Sequence, residues 1–157
     1  MKILQWFWRK LKFQPPTIYI IRGVSGSGKS TLAGQLTPWN VAADDFPDLY
    51  KGGKYNADLQ SASHRWCEKS VEDLMQQGRR VIAVHNTSCK VKNFEKFLAL
   101  AAKYGYVSHV IHAEAVMLSD GSQPGNVHGV AQMFLDRQKS NWESFDQSRE
   151  ETTAEGK

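Results

Sequence analysis

Cysteine is scarce in this 157-residue chain: Cys67 and Cys89 are the only two, with no CxxC spacing. That excludes a disulfide framework or a zinc knuckle and predicts a reducing, intracellular setting. No apolar run approaches the roughly 20 residues of a membrane span, and Lys and Arg break the apolar stretch at the start too often for a signal-peptide core. Repeats are absent, and with 41% hydrophobic and 23% charged residues the composition excludes wholesale disorder and collagen-like sequence. The expectation is a cytoplasmic protein, attached to a membrane at most peripherally.

Acidic residues are missing from one place in particular. Residues 1–13, MKILQWFWRKLKF, hold four of the 20 basic side chains and no acid, so residues 14–157 carry 16 basic against 16 acidic groups. The net charge of +4 therefore belongs to an N-terminal arm, and the body is neutral. Ile3, Leu4, Phe7, Trp8 and Leu11 fall on one stripe of a short helix. Three roles compete for it: packing on its own domain, lying on an anionic membrane surface, or gripping nucleic acid with Trp6 or Trp8 on the bases.

Pro15-Pro16 ends the arm. The chain divides on this reading into an arm at 1–14, a folded domain at 17–145 and a polar tail at 146–157 that is expected to be disordered. Within the domain, apolar runs alternate with helical periodicity. Strands are expected at 17–22, 39–43, 81–84 and 106–113, with helices from Lys29 to about Thr37, from Asn56 to Gln77, from Val91 to Gly105 and from Val130 to Trp142. That alternation predicts an α/β fold with a mostly parallel sheet and helices on both faces.

Gly23-Val24-Ser25-Gly26-Ser27-Gly28-Lys29-Ser30 satisfies G-x-x-x-x-G-K-[ST] between the first strand and the first helix. Phosphate oxygens need several backbone N–H groups converging from one side, so glycine is required where φ is positive or a Cβ would block approach. The helix N-terminus adds partial positive charge. Lys29 is placed to reach the β- and γ-phosphates, Ser30 to complete a Mg²⁺ shell, and Thr31 to touch the α-phosphate. The spacing predicts a P-loop NTPase that binds ATP with Mg²⁺.

A kinase acting on a hydroxyl also needs a carboxylate near the acceptor. Asp44-Asp45, after the second strand at the carboxyl edge of the sheet, is the candidate; the competing reading is a pair of solvated loop acids. Of the histidines, His109 and His112 lie three apart on a strand and so face opposite ways, which excludes a shared metal. His85, at a strand end beside the nucleotide loop, is the one with a candidate functional position.

Together, GVSGSGKST, ADDF, VIAVHNTS and NVHGVAQMFLDRQKSNWE resemble the polynucleotide 5′-hydroxyl kinase-like branch of P-loop kinases, with zeta-toxin and AAA-type ATP-binding relatives. The resemblance spans about Ile18 to Glu143. It implies a nucleoside or polynucleotide kinase-like fold and transfer of the γ-phosphoryl group of ATP to the 5′-hydroxyl of DNA or RNA. By the same resemblance Asp44 is the general base and Asp45 supports it. Asn86 and Thr87 match an acceptor-positioning step, where His85 and Ser88 depart from the family pattern. His128 in the NVHGV segment reads as a structural hydrogen-bonder. The family's lid arginines are replaced by Gln123-Pro124-Gly125, which leaves Arg137 as the candidate lid cation or else an exposed helix charge. The neutral body keeps a small-molecule or nucleoside kinase open as the alternative, and the missing arginines keep open a catalytically weak ATP-binding switch or adaptor.

Overall fold

A computed structural model describes residues 14–113 and 132–147. Four strands, β1 (Thr17–Arg22), β2 (Asn40–Val41), β3 (Val81–Asn86) and β4 (Val107–His112), form one sheet in the order β2-β3-β1-β4. Every pairing is parallel, and β1 lies in the middle, with Ile20 beside Val84 on one side and Val110 on the other. The helices are α1 (Lys29–Leu36), α2 (Gln60–Gln76), α3 (Glu95–Tyr104) and α4 (Gln132–Ser140). Among the described residues no helix is long and apolar enough to cross a membrane.

Strands covered on both faces must be apolar on both. β1 meets that demand with consecutive isoleucines: Ile18 and Ile20 pack with Ile82 and Val84 against α2 and α3, while Ile21 faces the other way with Ala83, Ala113 and Ala33 of α1. The larger layer is filled by Cys67, Val71 and Met75 at four-residue spacing on α2 and by Phe97, Leu100 and Ala101 on α3. Gly105, at φ 71°, ends α3 in the left-handed conformation that suits glycine.

The α/β architecture agrees with the sequence expectation, and the departures lie at element ends. β2 shrinks to two residues because Ala43–Asp45 wind into a 3₁₀ turn, closed when the Ala42 N–H donates to Asp45 Oδ2 at 2.9 Å. The helix expected from Asn56 begins at Gln60, since Asn56 caps a separate turn at Ala57–Leu59 by accepting from the Asp58 N–H. β3 runs two residues further than its apolar core, to Asn86. The final helix spans 132–140. The N-terminal arm, His128 with the NVHGV segment, and the polar tail past residue 147 lie outside the described residues.

From β1 the chain crosses to β2 at one edge, and from β3 it crosses to β4 at the other. The carboxyl ends of β1 and β3 therefore border the crevice where open parallel sheets take their ligands.

Candidate active site

The loop after β1 enters this crevice directly. The Gly23 N–H donates to the Thr87 carbonyl at 3.3 Å, which ties the start of the loop to the end of β3. A Cβ on Gly23 would lie 2.8 Å from the Ala113 carbonyl oxygen and would also strike Ser27 Oγ, so only glycine fits. Gly26 and Gly28 take φ of 80° and 89° and turn the chain into α1. Gly28 is the N-cap and no side chain caps the helix. Thr31 lies in its first turn, which contains no acid, so that turn presents N–H groups and positive dipole toward the loop. Ser27 Oγ is buried without a hydrogen-bond partner. An uncapped helix start, two left-handed glycines and a buried orphan hydroxyl together fit a phosphate group.

Lys29 folds back over the loop, its Nζ donating to the Val24 carbonyl at 2.9 Å. Burial pushes its pKa down to about 8, and the nearby Asp44 carboxylate partly opposes that shift. Ser30 meets His85: their Oγ and Nδ1 lie 3.3 Å apart, and His85 Nε2 lies 3.3 Å from Asn40 Oδ1. Asn40 donates its Nδ2 to the Thr37 carbonyl at 2.9 Å, so its Oδ1 is the acceptor and His85 carries its proton on Nε2. Nδ1 is then an acceptor, and Ser30 donates to it. The hydroxyl proton points inward, which leaves the oxygen lone pairs turned outward. Burial holds His85, only 6% exposed, below the usual imidazole pKa and therefore neutral.

The sequence grouped Asp44, Asp45, His85, Asn86 and Thr87 near the acceptor, and the structure gives them different surroundings. Asp45 is engaged in closing its own turn. Asn86 braces that turn from β3, its Oδ1 accepting from the Ala43 N–H at 2.8 Å while its Nδ2 donates to Cys67 Sγ at 3.6 Å. Thr87 contributes its carbonyl to the loop, and His85 packs beneath Ser30. Asp44 is exposed at the tip of the turn and is felt electrostatically by Lys29, Tyr50, Tyr55 and His64. The segment that follows forms a cleft of about 560 Å³ lined by Asp48, Lys51, Lys54, Tyr55, Asn56 and Asp58 among others. Tyr50 and Tyr55 pair with ring centroids 5.4 Å apart. Arg137 is exposed on α4, one residue from the point where that helix touches the loop.

Sequence reasoning did not find Arg22. It is fully buried at the end of β1 and donates to the carbonyls of Ser88 (3.0 Å), Cys89 (2.8 Å) and Glu143 (2.9 Å). Its guanidinium also lies over the rings of Phe94 and Trp142, at 4.7 and 4.3 Å from their centroids. The Trp142-Glu143 pair thereby gains a role: Trp142 covers Arg22, and Glu143 Oε2 accepts from the Val91 N–H at 2.8 Å. Arg22 thus joins the exit of β3 and the C-terminal segment to the residue that immediately precedes the phosphate-binding loop.

A three-layered parallel sheet with this loop at its switch point is an α/β P-loop NTPase fold. Residues 18–116 match the AAA domain family, to which the chain belongs. Among solved structures it resembles a gluconokinase from Sinorhizobium meliloti 1021 at 16% identity and TM-score 0.54, covering 82% of this chain and 76% of that one. It also resembles a chain of the Pnkp1/Rnl/Hen1 complex at 16% identity and TM-score 0.52, covering 77% of this chain and 49% of the other, about half its length. A protein from Chloroflexus aurantiacus matches at 15% identity and TM-score 0.52, over 64% of this chain and 60% of its own. These likenesses are of fold.

Proposed function

We propose that the protein is an ATP-dependent phosphotransferase that passes the γ-phosphoryl group to a hydroxyl acceptor, the 5′-hydroxyl of a nucleic acid. The observation that carries this reading is the placement of Lys29 in the phosphate-binding loop and of Asp44 on a separately braced turn after β2, both at the carboxyl edge of the sheet and near enough for the Asp44 charge to act on Lys29. Kinases among proteins of like fold, and the Pnkp1 chain in particular, support it. In the reaction the acceptor oxygen bonds to the γ-phosphorus, the bond to the β–γ bridging oxygen breaks, ADP leaves, and the acceptor proton passes to Asp44. Lys29 balances charge on the phosphoryl oxygens, and Arg137 is the candidate second cation.

Mg²⁺ suits the loop through Ser30, whose hydroxyl donates its proton to His85 and keeps its oxygen lone pairs for a ligand. Among the described residues no group of three or more His, Cys, Asp or Glu could hold a metal on its own, so the nucleotide's phosphate oxygens would supply most of the shell. Bound there, the ion would neutralise charge on the β- and γ-phosphates.

A small polar hydroxyl compound is the second acceptor reading. It is favoured by the cleft on the segment after Asp44, which is lined by two lysines and two aspartates and offers no continuous track for a phosphate backbone. Incubation with γ-labelled ATP, Mg²⁺ and a panel of 5′-hydroxyl DNA, 5′-hydroxyl RNA, nucleosides and sugar acids separates the two. Label on a nucleoside or sugar acid but not on an oligonucleotide rejects the polynucleotide acceptor. Labelling that is unchanged in Asp44→Asn rejects the assigned base.

A further inference from the structure

One contact to the phosphate-binding loop comes from far along the chain. The Ser25 N–H donates to Gln138 Oε1 at 3.0 Å, and Gln138 Nε2 donates back to Ser25 Oγ at 3.1 Å. The two residues are 113 positions apart, so the pairing is tertiary. A carboxamide oxygen on a loop N–H takes the place that a phosphate oxygen takes in such loops, but with only a partial charge.

The helix that delivers Gln138 is lightly held. None of the residues of α4 is buried, and Met133 and Phe134 are 71% and 49% exposed. Immediately after it the chain is firmly anchored: Trp142 and Glu143 sit on Arg22, and Phe145 packs edge-on against Phe94 with centroids 5.1 Å apart. The Gln138 contact therefore lies one helical turn before the anchored segment, on a helix with no buried side chain. No α4 side chain is fully buried, so among the described residues release uncovers little apolar surface and the two hydrogen bonds to Ser25 are a substantial part of what docks it.

We propose that Gln138 is a residue of the nucleotide site that stands in for a phosphate oxygen on Ser25, and that a nucleotide's terminal phosphate displaces it, breaking the tie between α4 and Ser25 so that Arg137 on the same helix can turn to the phosphate. This rests on the reading of the loop as an ATP site. A phosphate carries full charge and lies near Lys29, so it outcompetes a neutral amide but must first break the amide's bonds. Gln138 thereby sets nucleotide affinity and links phosphate occupancy to the position of Arg137.

Isothermal titration of ATP into the full-length protein and two variants tests this. Gln138→Ala removes the competitor, and ATP is expected to bind about tenfold more tightly, the scale set by two neutral hydrogen bonds. Gln138→Glu puts a carboxylate on the same donor beside Lys29, and ATP is expected to bind at least about tenfold more weakly. The opposite signs are the signature. Weaker binding in both variants would show that Gln138 holds the phosphate directly and would overturn the proposal. Unchanged affinity in both, with only a lowered melting temperature, would show a structural tie and would also overturn it. Failure of the wild-type protein itself to bind ATP would remove the nucleotide-site reading, an outcome distinct from failure of the Gln138 series.

Discussion

Replacing Arg22 by Met keeps the length and most of the bulk of the side chain and removes its donors. Three carbonyls, of Ser88, Cys89 and Glu143, then lose charge-assisted hydrogen bonds at 3.0, 2.8 and 2.9 Å. The rings of Phe94 and Trp142 lose a cation held within 5 Å. A stranded buried acceptor such as the Ser88 carbonyl costs about 1–3 kcal/mol, the part-buried Cys89 and Glu143 carbonyls cost less, and the removed guanidinium no longer bears its own desolvation, so a net loss of about 3–4 kcal/mol is expected. At about 2–4 °C per kcal/mol for a domain of this size, the melting temperature should fall by roughly 10 °C. Unfolding followed by circular dichroism measures this, with Arg22→Lys as the companion: one ammonium cannot reach three carbonyls in a fork, so Lys should recover only part of the loss. Arg22 immediately precedes Gly23, so the same variant should also bind ATP more weakly while still folded. An unchanged melting temperature in Arg22→Met would refute the view that this residue holds the β3 exit and the C-terminal segment to the phosphate-binding loop.

Two further perturbations reach the site and the core. Gly23→Ala sets a Cβ against the Ala113 carbonyl oxygen and Ser27 Oγ, so it should cost about 1–3 kcal/mol of stability and sharply weaken ATP binding; wild-type affinity would contradict the close packing of the loop on β4. Burial pushes the Cys67 thiol up to about 11 from an ordinary value of 9.0, so the neutral thiol's contribution to stability is complete below about pH 9 and is lost as the pH rises toward 11. A thiol reagent at pH 8 should therefore modify half-buried Cys89 readily and Cys67 only after unfolding; rapid reaction of both in the native protein would contradict this.

The sheet and its helices were legible because both faces of β1 are built from apolar residues and because the α2 stripe repeats at helical spacing. Polar strand ends were not. His85 and Asn86 read as a loop by hydropathy, yet each remains in the strand because its side chain finds partners: Ser30 and Asn40 for one, Ala43 and Cys67 for the other. Spacing alone did not distinguish Asp44 from Asp45, and the turn geometry separates the residue that closes the turn from the one at its tip. Arg22 gave no signal, since an arginine before a glycine-rich loop reads as a surface charge until the carbonyls it gathers, from residues 66, 67 and 121 positions away, are placed around it. Gln138 was invisible for the same reason: its partner lies in the loop motif, but nothing in the motif specifies it.

If Lys29 and Asp44 serve one phosphoryl transfer, comparing wild type, Lys29→Ala and Asp44→Asn for ATP binding and for label transfer from γ-labelled ATP to 5′-hydroxyl oligonucleotides will separate their roles. With both residues in one site, Lys29→Ala is expected to lose both, whereas Asp44→Asn still binds ATP but loses transfer by about 10²-fold or more. Label transfer by wild type that persists undiminished in either variant would contradict it.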